Sequence, residues 1–137
     1  MGTAPAGWAV LHHREPPAAF HARPIPDVVR PAVWVSEPTA PALVLGSAQR
    51  DDLVDRQACA RVGVDVVRRH SGGGAVLVVP GELVWLDVLI PADDRRWEPD
   101  VGRAFLWLGE VWARALADLG VAAAVHAGAM VRTPWSD

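Results

Sequence analysis

Apolar residues along the chain fall into several short runs and one long periodic stretch. Trp8-Ala9-Val10-Leu11-His12-His13 predicts a short strand, and Pro16-Pro17 ahead of Ala18, Ala19 and Phe20 opens a brief helix. Beyond prolines 24, 26 and 31, Val33-Trp34-Val35 and Ala42-Leu43-Val44-Leu45 are apolar or β-branched runs bounded by proline and by Gly46, which predicts two more strands. Val54, Ala58 and Val62 then recur at four-residue spacing. This predicts a helix over 52–62, capped by Asp51 or Asp52 and closed by Gly63 in the left-handed region.

Residues 64–69, Ser71-Gly72-Gly73-Gly74 and 75–79 read as strand, glycine loop, strand, after which Pro80-Gly81 turns the chain into 82–90. There Val84, Leu86, Val88 and Ile90 fill one face and Leu83, Trp85, Asp87 and Leu89 the other, so a strand covered on both sides is predicted. Between 100 and 119, Val101, Ala104, Phe105, Leu108, Val111, Trp112, Ala115, Leu116 and Leu119 repeat at helical steps, with Asp100 as the cap and Gly120 as the stop. A weak strand is expected over 121–125 and turn-like chemistry over 131–137. Together these elements predict an α+β domain.

At 137 residues, with 51% hydrophobic and 21% charged, the chain is expected to form one soluble globular domain over 1–137. All 13 basic residues are arginine, so no lysine of its own can act as a nucleophile. The formal charge of −3 speaks against sequence-independent nucleic-acid binding. Cys59 is the single cysteine and has no metal-ligand partners at the usual spacing, which fits a reducing, cytoplasmic setting. No run reaches the roughly 20 apolar residues of a membrane span, and the first seven residues lack the pattern of a signal peptide.

The segment with the most chemistry is Arg68-Arg69-His70-Ser71-Gly72-Gly73-Gly74-Ala75-Val76. Three consecutive glycines between strands weaken a sheet by about 0.5 to 1 kcal/mol each, which a ligand-binding role would offset. Glycine lets successive amides approach an anion, and arginine supplies forked donors to a phosphate or carboxylate. Alternation sends Arg68 and Arg69 to opposite faces, so one faces a site and the other meets solvent or an acid such as Asp65. A flexible hairpin with surface arginines is the plainer alternative. The loop is no P-loop, because no Lys-Ser/Thr follows it and it leads into a strand.

This motif resembles the lipoate-protein ligase A / biotin-protein ligase catalytic domain family. Val44 to Gln49 and a short helix precede it, and Pro80-Gly81-Glu82-Leu83 follows, so the resemblance extends over 8–137. It implies a mixed, largely antiparallel sheet packed by helices, in a class II synthetase-like catalytic fold that is C-terminally incomplete. By carry-over, Arg69, Ser71, Gly72, Gly73, Gly74 and Ala75 wall an acyl-adenylate pocket. Arg69 would lie near the carboxylate or phosphate, and Gly46 to Gln49 near the acyl end. Asp137 stands about where relatives have an Asn-Asp pair that holds the adenylate and its metal. Two departures stand out: Val78-Val79 replaces the family's usual His-Asp, and the family's lysine has no counterpart.

The function so implied is activation of lipoate or octanoate with ATP and Mg2+ to an acyl-adenylate, followed by transfer to a carrier lysine. The carriers would be lipoyl domains of 2-oxoacid dehydrogenases or glycine-cleavage H-type proteins, with the missing parts of the site supplied by a second subunit or a C-terminal segment. An octanoyl-carrier-dependent transferase and a non-catalytic acyl-ligand or partner-binding homologue are the alternatives. Neither nucleic acid nor membrane is an expected partner.

Among the remaining residues, Asp87 on an apolar face is expected either to pair with an arginine or to face the pocket. Trp85 is a candidate to line an acyl tunnel, and Trp107 and Trp112 are expected to pack. His12, His13, His70 and Cys59 carry weaker expectations of solvation, loop shaping and packing.

Overall fold

The computed structural model describes residues 7–129. They divide into two compact units, the first ending at Leu89 and the second beginning at Ile90. The first unit holds β1 (Ala9–Glu15), α1 (Pro17–Ala22), β2 (Ala32–Pro38), β3 (Ala42–Leu45), a 3-10 turn (Asp51–Leu53), α2 (Arg56–Arg61), β4 (Asp65–Arg68), β5 (Val76–Val78) and β6 (Trp85–Leu89). Its strands form two sheets, ordered β1-β2-β6 and β4-β3-β5. Each sheet has one parallel ladder (β1 with β2, β3 with β4) and one antiparallel ladder (β2 with β6, β3 with β5). The fold is therefore mixed α+β, as expected. The one sheet expected is two, and the turn bracketed by Pro38 and Pro41 carries the chain from β2 of the first to β3 of the second.

Burial centres on β3. Ala42 and Val44, with Val78 of β5, are fully buried, and Val67, Val76, Leu83 and Trp85 pack around them. Helix α1 starts with Pro17 in its first turn and buries Phe20 and His21. It packs on β1 and β4, while α2 packs on β4.

The cap of α2 differs from expectation. Asp55, not Asp51 or Asp52, accepts the Ala58 N–H at 2.8 Å. Asp51 is instead drawn into the 3-10 turn, where Arg56 and Arg68 hold its carboxylate. Gly63 closes α2 at φ +71°, as the sequence predicts. Strand β6 is shorter than expected and covered on one face only, since Val84 and Leu86 are exposed. As an edge strand paired with β2 alone, it leaves that face to solvent.

The second unit contains α3 (Val101–Ala104) and α4 (Leu106–Asp118). The predicted long helix is divided at Phe105, although that residue stays near helical angles and its carbonyl accepts the Gly109 N–H at 2.8 Å. Asp100 caps α3 by accepting from the Arg103 N–H, and Gly120 ends α4 at φ +78°, both as expected. No strand forms over 121–125. The Val121 N–H turns back to the Leu116 carbonyl at 2.8 Å, and Val125 lies against Gly109. Trp107 sits under the Arg96 guanidinium, whereas Trp112 is half exposed and lacks the packing expected of it. No helix among the described residues is long and apolar enough to cross a membrane.

Candidate functional site

Because β4 and β5 flank β3 on opposite sides, the glycine loop between them must cross the end of β3, where Gly46 sits. Two backbone bonds fix the crossing: the Arg69 N–H donates to the Leu45 carbonyl (3.0 Å), and the Ser47 N–H donates to the Ser71 carbonyl (2.9 Å). The backbones approach so closely that a Cβ on Gly46 would stand 2.0 Å from the Gly73 carbonyl oxygen. Gly73 itself adopts φ +96°, a conformation that glycine tolerates best.

Arg69 is buried and acts from behind the loop. It donates from Nε to Ser71 Oγ (3.1 Å), from Nη1 to the Val44 carbonyl (3.1 Å), and from Nη2 to the carbonyls of Gly72 (2.7 Å) and Gly74 (2.9 Å). One guanidinium thus ties both ends of the loop to β3. Burial lowers its pKa from the ordinary arginine value.

Arg68 points the other way, as alternation requires, but its acid is Asp51 rather than Asp65. Its Nη1 also donates to the carbonyls of Gly46 (2.7 Å) and Gln49 (2.7 Å), so it clamps the segment after β3. The Gly46 N–H in turn donates to Gln49 Oε1 (2.9 Å). Hydrogen bonds from Arg68 and Arg56 hold the Asp51 carboxyl below its usual range.

With the carbonyls of Gly72 and Gly74 turned to Arg69, the loop leaves Ser71, Gly72 and Gly73 exposed. Among the described residues, the amides of Gly72, Gly73 and Gly74 donate to no protein acceptor. Free amides in front of a buried cation suit a carboxylate or a phosphate.

A second group of residues stands close enough to feel the loop's charges. His21 is buried in α1, and its pKa is lowered from 6.5 to about 4, first by burial and then by the positive fields of Arg69 and His70. Sequence reasoning missed it, although Pro17, Phe20 and His21 share the i, i+3, i+4 spacing of a buried helix face. Its folded-state pKa lies below the unfolded value, so the unfolded chain takes up the proton first. Stability conferred by neutral His21 is accordingly complete above pH 6.5 and lost as pH falls toward 4, by about 3 kcal/mol in all. Denaturant unfolding of wild type and His21→Phe across that range, with an NMR titration of the imidazole, checks this; equal slopes in the two proteins would refute it.

Asp87 lies on β6, and burial raises its pKa. Of its two expected roles the arginine ion pair is not formed among the described residues; Trp85 donates to it from Nε1 at 3.3 Å, and the fields of Arg23 and His70 partly oppose the effect of burial. The structure thus gathers Gly46, Arg69, Ser71, Gly72, Gly73 and Gly74 into one unit, with Ala75 exposed where the loop enters β5. Asp87 belongs to the other sheet, and Asp137 lies outside the described residues. His70 is exposed, while His13, expected to be solvated, is half-buried with its ring edge-on to Trp34. No three His, Cys, Asp or Glu side chains among the described residues gather into a metal cage. An open groove of about 410 Å3, lined by Arg14, Glu37, Thr39, Glu82 and Leu83 among others, includes no glycine-loop residue.

Comparison with known proteins adds to this geometry. A search of curated protein sequences finds no match. Among solved structures, T. acidophilum protein Ta0514, a candidate lipoate protein ligase, has a similar fold. With lipoic acid bound it aligns with a TM-score of 0.67 at 22% identity, covering 83% of this chain and 48% of that one. A second structure of Ta0514 gives a TM-score of 0.62 at 21% identity, covering 83% and 50%. The chain therefore spans about half the length of the relative whose fold it shares. The Lipoyl protein ligase A/B catalytic domain family matches residues 20–133, a stretch that takes in β3, the glycine loop and everything between them, and to that family this chain belongs.

Proposed function

We propose that the chain forms the acyl-binding part of a lipoate-protein ligase-like enzyme that works in the cytoplasm. The observation that carries this reading is the glycine loop, where Arg69 holds the carbonyls of Gly72 and Gly74 while the amides of Gly72, Gly73 and Gly74 have no acceptor among the described residues. In the proposed reaction a carboxylate oxygen of lipoate or octanoate attacks the α-phosphorus of ATP and pyrophosphate leaves. The amine of a carrier lysine then attacks the acyl carbonyl and AMP leaves. The chain's part is to bind and orient: the amides of Gly72, Gly73 and Gly74 neutralise charge on the carboxylate or phosphate as it develops. The acceptor lysine belongs to the carrier, a lipoyl domain of a 2-oxoacid dehydrogenase or a glycine-cleavage H-type protein, so its absence here is no obstacle.

Loop amides without a protein acceptor suit nucleotide phosphates. Mg2+ bound with a nucleotide takes most of its ligands from phosphate and water, and the described residues add no cluster to them, so no step is routed through it. A second reading, acyl-ligand binding without turnover, is favoured by one observation, the lack of any lysine to replace the family's own.

ATP-pyrophosphate exchange by the full-length protein with lipoate, octanoate and biotin separates the two. Acid-dependent exchange is expected for the enzyme. Thermal stabilisation without exchange, about 2.7 kcal/mol at a hundredfold excess over Kd, marks the binder. Transfer from an octanoyl carrier with no need for ATP would mark the related transferase, and neither exchange, transfer nor stabilisation would refute all three.

A further inference from the structure

Arg68 and Arg69 leave the end of β4 on opposite sides, and each gathers the carbonyls of a different turn. Arg69 takes those of the glycine loop. Arg68 Nη1 takes those of Gly46 (2.7 Å), Ser47 (3.3 Å) and Gln49 (2.7 Å), while its Nη2 donates to Asp51 Oδ1 (2.8 Å), which Arg56 also reaches at 3.0 Å. Within that turn the Gln49 N–H closes on the Gly46 carbonyl (3.2 Å), and the Gly46 N–H on Gln49 Oε1 (2.9 Å). The peptide group between Gly46 and Ser47 is thus held firmly at its carbonyl end.

A trans peptide group is planar, so its C=O and N–H point in opposite directions. The group joining Gly46 to Ser47 accepts from Arg68 at its carbonyl and donates from its amide to the Ser71 carbonyl at 2.9 Å. That carbonyl belongs in turn to the group joining Ser71 to Gly72, whose amide points away from Ser47 and has no acceptor among the described residues. Two rigid planes in series therefore run from the Arg68 guanidinium to the Gly72 N–H. Arg69 does the same over one plane, since it holds the Gly72 carbonyl and the amide of that group is Gly73. Linked hydrogen bonds polarise one another, so a cation at the start of the series makes the last N–H a stronger donor.

We infer that Arg68 is a positioning residue for the anion bound at the glycine loop: through the peptide groups 46–47 and 71–72 it aims and polarises the Gly72 amide, as Arg69 does for the Gly73 amide. The inference rests on the function proposed above and adds to it a residue that acts through backbone alone, without touching the ligand. It also gives each of the two adjacent arginines its own amide to serve.

Calorimetric titration of the full-length protein with octanoate, run beside thermal melts, tests it. Arg68→Met is expected to weaken octanoate binding about tenfold, the loss of one charge-assisted donor from the series. The fall in its melting temperature should be modest, because the side chain is 35% exposed. Arg68→Lys should melt like Arg68→Met, having no fork for Gln49 and Asp51, yet recover most of the affinity, because one ammonium suffices for the Gly46 carbonyl. A residue that merely stabilised the fold would move affinity and melting temperature together. If Arg68→Met does not fold, Arg68→Gln, a neutral donor, takes its place. Unchanged octanoate affinity in the neutral variant, or affinity that follows melting temperature across the variants, would overturn the inference and leave the proposed function standing. A wild-type protein that binds no octanoate would remove both.

Discussion

Gly46→Ala is expected to abolish the proposed carboxylate binding and lower the melting temperature together. The new methyl would sit 2.0 Å from the Gly73 carbonyl oxygen, and both partners are backbone, so no side chain can rotate away. The loop must lift off β3, which breaks the Ser47 to Ser71 bond and the alignment of the glycine amides. Overpacking of this kind costs about 3 kcal/mol, or roughly 10 °C in a domain of this size. Gly72→Ala provides the contrast. A Cβ there meets nothing within 4 Å and the backbone angle is ordinary, so its stability should stay within about 0.5 kcal/mol of wild type. Thermal melts and ligand titrations of the two variants make the comparison, and wild-type binding by Gly46→Ala would show that the close approach does not hold the site.

Arg69→Met is expected to have an effect of similar size for a different reason. It removes the donor from four acceptors at once, three of them backbone carbonyls, and leaves the Val44 carbonyl in the core with a lone pair unmatched. Hydrogen bonds to a charged group contribute about 1.5 to 3 kcal/mol each, although members of one network do not add, so a loss of about 3 to 4 kcal/mol is reasonable. Arg69→Lys should rescue little. A single ammonium has no fork with which to reach Ser71, Val44 and the two glycines together. Arg68→Met should be milder, because that side chain is 35% exposed and water can take over its acceptors. A lysine variant with wild-type stability and binding would mean that charge, not the planar fork, is what the loop needs.

The sequence was most informative where the cause of structure is local. The run at 42–45, the glycine loop and the Asp100 and Gly120 ends of the helical region each depend on residues a few positions apart, and they formed where expected. Where partners lie far apart the reading went astray. Asp51 looked like a helix cap, but Arg68, brought beside it by the β3 to β4 pairing, competes for its carboxylate, and the cap passes to Asp55. Val121 to Val125 has strand chemistry, yet the close of α4 captures its first amide. The motif marked Arg69 as important without revealing that its donors turn inward. His21 is not legible as a residue of interest, since it belongs to no motif and only the meeting of α1 with Trp85 of β6 and with β4 makes its burial unusual.

The central position of β3 also bears on how the chain reaches this state. Its partners are distant in sequence, Ala42 meeting Asp65 on one side and Val78 on the other, so neither ladder can form until long segments have been closed at an entropic cost. Non-local pairing of this kind slows folding. Since Arg69 reaches the Val44 carbonyl and Gly46 reaches Gly73 only after both ladders exist, no early, locally structured intermediate can hold a ligand at the glycine loop. Recovery of the proposed carboxylate binding during refolding should therefore follow the slowest step, and a ligand present from the start would trap the finished protein without hastening its formation.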